Sequence, residues 1–196
     1  MSSYQKAYFL LSVADVKQLP PDEGIEVAIV GRSNAGKSSV LNRLTQNKKL
    51  ARVSKTPGRT QHINLFVLDD KRRIADLPGY GYAKVPLSEK AKWQKNVDTY
   101  LSTRTCLKGL VLVMDIRHPM RDSDVQLLDY CEHHQLAVHV ILNKADKLSK
   151  GAAAKTMQEV KAALTEYDNS VTFQCFSALK GLGINELKSI LDKWYN

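Results

Sequence analysis

Short apolar runs alternate with amphipathic stretches along the chain, and the alternation predicts strands and helices in turn. Ile25–Val30, apolar except for Glu26, reads as a first strand, and Ser39-Val40-Leu41-Asn42-Arg43-Leu44 shows helical spacing soon after it. His62–Leu68 alternates, Asp69-Asp70-Lys71 turns, and Arg72–Asp76 returns, so the two runs form an antiparallel hairpin. A helix is expected from Ser88, its cap, to about Thr103, with Trp93, Val97, Tyr100 and Leu101 on the core face. Leu107–Met114 is a continuous apolar run of the kind buried on both faces, closed by Asp115. A helix from about Ser123 to His134, a strand over Ala137–Leu142 and a helix from Lys150 to about Tyr167 follow. A strand over Val171–Phe176 and a helix from Ile184 to about Tyr195 complete the chain.

Such alternation specifies a three-layer, doubly wound α/β fold, here with six strands in a mixed sheet whose antiparallel edge strand comes from the hairpin. The turn-rich Leu19-Pro20-Pro21-Asp22-Glu23-Gly24 sets apart residues 1–24, expected to be an arm packed on the domain, from a single domain over 25–196. Ligands of doubly wound sheets sit at the carboxyl ends of the strands. There the polar stretches carry the chemistry.

After the first strand comes Gly31-Arg32-Ser33-Asn34-Ala35-Gly36-Lys37-Ser38, the phosphate-loop pattern, with Ser39 continuing into the helix. A strand that re-enters as a helix aims backbone N–H groups and the positive end of the helix dipole at one spot. Gly31 and Gly36 let phosphate oxygens approach, Lys37 reaches the β- and γ-phosphates, and the Ser38 hydroxyl ligates Mg²⁺. Asn143-Lys144-Ala145-Asp146 chooses the base, because one carboxylate can accept from both N1–H and the N2 amino group of guanine, which adenine does not present. Lys144 would lay its stem along the base, and Asn143 would contact the purine edge. Ser177-Ala178 would close the pocket with backbone N–H groups near the guanine carbonyl.

Asp76 ends a strand where a water-mediated Mg²⁺ contact is expected, and the Gly79 N–H is placed to reach the γ-phosphate. Between Asn47 and Thr60 the chain is polar and basic, which reads as a loop; Thr60, preferred to Thr56, would complete the Mg²⁺ shell, with Gly58 permitting the turn. His62 stands near this loop as a strand-start residue, and the other histidines show no spacing for a metal or a triad.

Charge adds a partner class. Twenty-nine Lys and Arg against twenty Asp and Glu give a formal +9, which suits a polyanion such as RNA or an anionic surface. The basic residues thicken at Arg43, Lys48, Lys49, Arg52, Lys55 and Arg59, and again at Lys71–Arg73. Three cysteines without CxxC spacing indicate neither a disulfide framework nor a zinc site. Neither a signal segment nor an apolar run of transmembrane length is found, so the expected location is the cytoplasm.

Together, the phosphate loop, Thr60, Asp76–Gly79, Asn143–Asp146 and Ser177-Ala178 resemble the five guanine-nucleotide motifs of translation-factor-type small GTPases. The fuller strings Gly31–Ser39, Ser54–Gln61, Asp76–Tyr82 and Asp115-Ile116-Arg117-His118-Pro119 resemble one bacterial family, EngB, over nearly the whole chain. The resemblance implies the P-loop GTPase fold and a Mg²⁺-dependent GTP- and GDP-binding protein. It also implies a role with the large ribosomal subunit or its precursor, and with rRNA, and a requirement in division and septation. A monomer is expected. Lys37, Thr60 and Gly79 would serve hydrolysis, but Tyr80 stands where Ras-type enzymes carry a water-orienting glutamine, so intrinsic turnover should be slow. Asn34 resembles the asparagine that holds K⁺ in some related GTPases. Two other readings remain open from sequence: a GTP/GDP-sensing RNA- or ribosome-binding module with negligible hydrolysis, and an ATP-dependent enzyme with an incidental Asn-Lys-Ala-Asp turn.

Overall fold

The computed structural model describes residues 3–51, 62–80, 87–167 and 171–196, with the backbone alone for residue 3 and for 87–94. Gly58, Thr60, the rest of Ser54–Gln61, Gly81 and Tyr82 lie outside the described residues, as does the side chain of Trp93.

Among the described residues, seven strands form one sheet: β1 (Tyr8–Val13), β2 (Ile25–Gly31), β3 (Ile63–Val67), β4 (Arg72–Asp76), β5 (Leu107–Asp115), β6 (Val138–Asn143) and β7 (Val171–Cys175), in the order β1-β3-β4-β2-β5-β6-β7. Strands β4, β2, β5, β6 and β7 run parallel, and β3 is antiparallel to both β4 and β1. The expected mixed, doubly wound sheet is therefore found, with one correction. The sheet does not end at the hairpin, because Tyr8–Val13 adds a seventh strand outside β3. Only Val13 at its end is buried, while Tyr8, Phe9 and Leu10 stay exposed, so no alternation marks this strand in the sequence.

Side-chain alternation sorts the layers. Val27 and Ile29 of β2, with Val111 and Val113 of β5, face α1 (Lys37–Thr45) and α5 (Ile184–Trp194), whose Val40, Leu41, Leu44, Leu187 and Leu191 are buried there. Ala28 and Val30, with Leu110, Leu112 and Met114, face α2 (Leu87–Thr103), α3 (Asp122–His133) and α4 (Lys150–Leu164). Val97, Tyr100 and Leu101 are buried from α2 as the periodicity predicts, but the helix already includes Leu87, so Ser88 is not its cap.

His139 on β6 is held by side chains at both ring nitrogens, Nδ1 by Thr172 at 2.7 Å and Nε2 by Gln174 at 2.8 Å. The Gln174 amide nitrogen donates to Gly183 O, so its oxygen accepts from Nε2–H, and burial lowers the pKa of the ring. Its role is to join β6 to β7. All five strand ends that carry sequence motifs lie along one edge of the sheet, as parallel registry requires.

Candidate nucleotide-binding site

β2 leaves the sheet at Gly31, where a Cβ would stand 2.2 Å from the Val113 carbonyl oxygen. Only glycine passes so close to β5. The loop then turns through left-handed backbone at Asn34 (φ 63°) and Gly36 (φ 102°) and enters α1 at Lys37. Gly36 offers no side-chain cap, so the first-turn N–H groups of α1 are left to receive an anion. The Lys37 ammonium donates to Gly31 O at 3.3 Å; burial pushes its pKa down, and nearby Asp76 pulls the other way. A cation held short of phosphate in this way is ready to exchange a weak carbonyl contact for a charged one.

Asp76 ends β4 beside β2 and is buried, with Oδ1 making no hydrogen bond. Burial raises its pKa to about 6, against the opposing influence of Lys37 and the Asn64 side chain. Ser38 and Asp76 open onto the same cleft of about 460 Å³, which Lys49, His62 and Asn64 also line. An unsatisfied buried carboxylate oxygen near a hydroxyl fits a hard cation that keeps its water. Among the described residues no group of three or more His, Cys, Asp or Glu is gathered around a metal position. A cation held there would take its remaining ligands from phosphate oxygens and water.

β6 delivers Asn143–Asp146 against the phosphate loop. Asn143 donates from Nδ2 to Ala35 O at 2.9 Å and accepts at Oδ1 from the Ala178 N–H at 3.2 Å. A Cβ on Gly36 would lie 2.4 Å from Asn143 Nδ2, so the absence of a side chain lets the two loops touch. Lys144 adopts left-handed backbone (φ 67°), and its ammonium sits between Asn34 O at 2.6 Å and Asp115 Oδ2 at 2.9 Å. Burial alone would raise the Asp115 pKa, but hydrogen bonds from Arg117 and Lys144 outweigh it and hold the carboxyl well below the usual range. The buried Ser177 hydroxyl donates to Asp146 Oδ1 at 2.5 Å, fixing the carboxylate's orientation.

Thus Gly31–Ser39, Asp76, Gly79, Asn143, Lys144, Asp146, Ser177 and Ala178 gather at one end of the sheet, each following a strand end or opening α1. Sequence reasoning misses three participants in their roles here. Asp115 steadies Lys144. Arg43 on α1 reaches the Ala178 and Leu179 carbonyls. Asp124 on α3 accepts from the Tyr80 hydroxyl at 2.6 Å, while Tyr80 O accepts from Ser33 N at 2.9 Å. Tyr80 therefore turns its buried phenol toward α3. No short-range pattern announces these pairings, since the partners lie far apart in sequence.

Known proteins resemble this chain in sequence and in fold. The family described as 50S ribosome-binding GTPase matches residues 26–144. The probable GTP-binding protein EngB of Coxiella burnetii (strain RSA 493 / Nine Mile phase I) is 51% identical over 193 residues, covering 98% of this chain and 94% of that protein. Its namesake from Aliivibrio fischeri (strain ATCC 700601 / ES114) is 52% identical over 192 residues, covering 98% and 89%. Among solved structures, a probable GTP-binding protein EngB superposes with a TM-score of 0.70 at 24% identity, over 87% of this chain and 98% of that one. A single-residue variant of Era from Aquifex aeolicus, bound to GDP and AlF4⁻, gives 0.69 at 23% identity, over 88% and 57%.

Proposed function

The chain belongs to the EngB family of GTP-binding proteins, and from that premise we propose that it is a Mg²⁺-dependent, slow GTPase acting as a switch in assembly of the large ribosomal subunit. The observation that carries the nucleotide assignment is the joining of base loop to phosphate loop, through Asn143 to Ala35 O and Lys144 to Asn34 O. Base and phosphates then bind one preorganised body.

In this reading the N–H groups of residues 32–39 and the Lys37 ammonium hold the phosphates, and Asp146 accepts from the guanine N1–H and N2 amino group. Ser38 and, through water, Asp76 hold Mg²⁺, with Thr60 joining when the γ-phosphate is present; the ion neutralises charge on the β- and γ-oxygens. Gly79, the Thr60 loop and Gly58 report that phosphate to a partner and are released on hydrolysis. Slow turnover follows from Tyr80, whose phenol is engaged with Asp124. Asn34, exposed at the rim of the loop, is proposed to help hold K⁺ during hydrolysis, so turnover should be faster in K⁺ than in Na⁺; equal rates would remove that role.

The formal charge of +9 favours an RNA-rich partner. Its matching family is described as 50S ribosome-binding. Among fold relatives, one solved structure is Era in complex with MgGDPNP and nucleotides 1506–1542 of 16S ribosomal RNA. No helix among the described residues is long and apolar enough to cross a membrane. We place the protein in the cytoplasm as a monomer, and attribute a division and septation phenotype to ribosome supply.

The test is fluorescent-nucleotide binding, GDP and a GTP analogue against ATP, followed by cosedimentation with large subunits. Guanine-selective binding with cosedimentation enhanced by the GTP analogue is expected; guanine binding with no nucleotide-dependent cosedimentation would overturn the ribosomal switch. Single-turnover phosphate release, with and without subunits, tests hydrolysis separately.

A further inference from the structure

We propose that Arg43 is a positioning residue for the guanine pocket, clamping the 177–179 loop to the phosphate-loop helix. Its guanidinium donates from Nε to Ala178 O and from Nη2 to Leu179 O, both at 2.6 Å, so two consecutive carbonyls are held by one planar fork. Ala178 is the residue whose N–H reaches Asn143 Oδ1, and Ser177 is the one that orients Asp146. The clamp therefore acts where the base-facing groups are set.

That loop lacks an apolar anchor at two places. Leu179 is 65% exposed and Leu182 is 52% exposed, so neither side chain pins the loop to the core. What holds it is polar: Ser177 N to Leu182 O at 3.1 Å, Gly181 N to Ser177 O at 2.7 Å, Lys180 N to Ser177 Oγ at 3.1 Å, and the Arg43 fork. The first three bonds close the loop on itself; the fork, together with Ala178 N to Asn143 and the Ser177 hydroxyl to Asp146, ties it to the rest of the site. Arg43 lies six residues, about one and two-thirds turns, beyond Lys37 on the same helix, so base wall and phosphate loop move together. Among the described residues it forms no ion pair that would give its charge another use.

This inference rests on the 177–179 loop facing guanine. Its test measures release of a fluorescent GDP from the full chain and its Arg43→Ala and Arg43→Lys variants, together with amide exchange in the nucleotide-free proteins. Because Arg43 is exposed, Arg43→Ala should melt close to wild type yet release GDP about 3- to 10-fold faster. Arg43→Lys keeps the charge but loses the planar fork, so it should release GDP nearly as fast as Arg43→Ala. Exchange should accelerate at Ala178–Lys180 and stay unchanged in β6.

Unchanged release in Arg43→Ala overturns the proposal. Full rescue by lysine also overturns it, assigning the effect to attraction of the phosphates by charge. Failure of the guanine reading would look different: wild type would bind ADP as well as GDP, while the exchange experiment would still report whether the fork holds the loop.

Discussion

Asp146→Asn is expected to lower GDP affinity about a thousandfold and to make xanthosine diphosphate the preferred ligand, measured by competition against a fluorescent nucleotide. Guanine meets Asp146 with two donors, whereas xanthine carries a carbonyl at position 2 that an amide N–H can satisfy. The Ser177 bond makes the direction of the exchange sharp. Its hydroxyl donates to Asp146 Oδ1, and in the variant that donor again requires an oxygen, which turns the new NH₂ toward the base. Ser177→Ala in the Asp146→Asn background should therefore blur the preference, because the amide loses the partner that orients it. An undiminished preference for GDP in Asp146→Asn would refute the assignment of Asp146 to the base.

The elements of that site differ in how plainly the chain announces them. The phosphate loop and Asn143–Asp146 were legible because their chemistry is local: eight or four consecutive residues perform the job, flanked by a strand whose apolar run is unmistakable. The sheet was legible for the same reason wherever a strand is buried on both faces, as in β5. Strand β1 was not, since pairing with β3 holds its backbone while Tyr8, Phe9 and Leu10 remain outside, leaving no alternation to read. The Arg43 fork and the Tyr80–Asp124 bond were equally silent. Each depends on which loops the sheet order brings together, and an exposed arginine or a helical aspartate has many other uses.

Electrostatics within the site were silent too. Asp76 sits buried with one oxygen unsatisfied, next to a half-buried lysine whose pKa the surroundings push down. Nothing in the string Asp-Leu-Pro-Gly tells how much that arrangement costs before nucleotide arrives. In the folded protein the carboxyl titrates at about 6, against 3.8 for an ordinary aspartate. With the folded value raised, the group favours the native state fully below pH 4 and loses that advantage as pH rises through about 6. The difference corresponds to about 3 kcal/mol of stability lost by pH 7 to an ionised carboxylate with no metal to meet.

Asp76→Asn, a shape-conserving neutral replacement, should therefore stabilise the nucleotide-free protein in chelator while crippling its function. The net gain is about 1–2 kcal/mol, smaller than the full cost, because Lys37 loses the counter-charge that supports its ammonium. For a chain of this size that is roughly 3–6 °C in melting temperature at pH 8, falling to about half of that near pH 5 and vanishing only below about pH 4, where the aspartate of the unfolded chain is protonated too. In the same preparation the variant should need about 10- to 100-fold more Mg²⁺ to support GTP hydrolysis, as expected for a group that holds the ion through water. Calorimetry across pH 5–8 and a Mg²⁺ titration of phosphate release read the two effects separately. A variant that melts below wild type at pH 8 would mean that Asp76 is a structural carboxylate satisfied by its neighbours. One that keeps its Mg²⁺ requirement unchanged would move the metal away from β4. If both expectations hold, the strain at this strand end is a property of the nucleotide-free state that Mg²⁺ and phosphate relieve, making ligand binding and local order a single event.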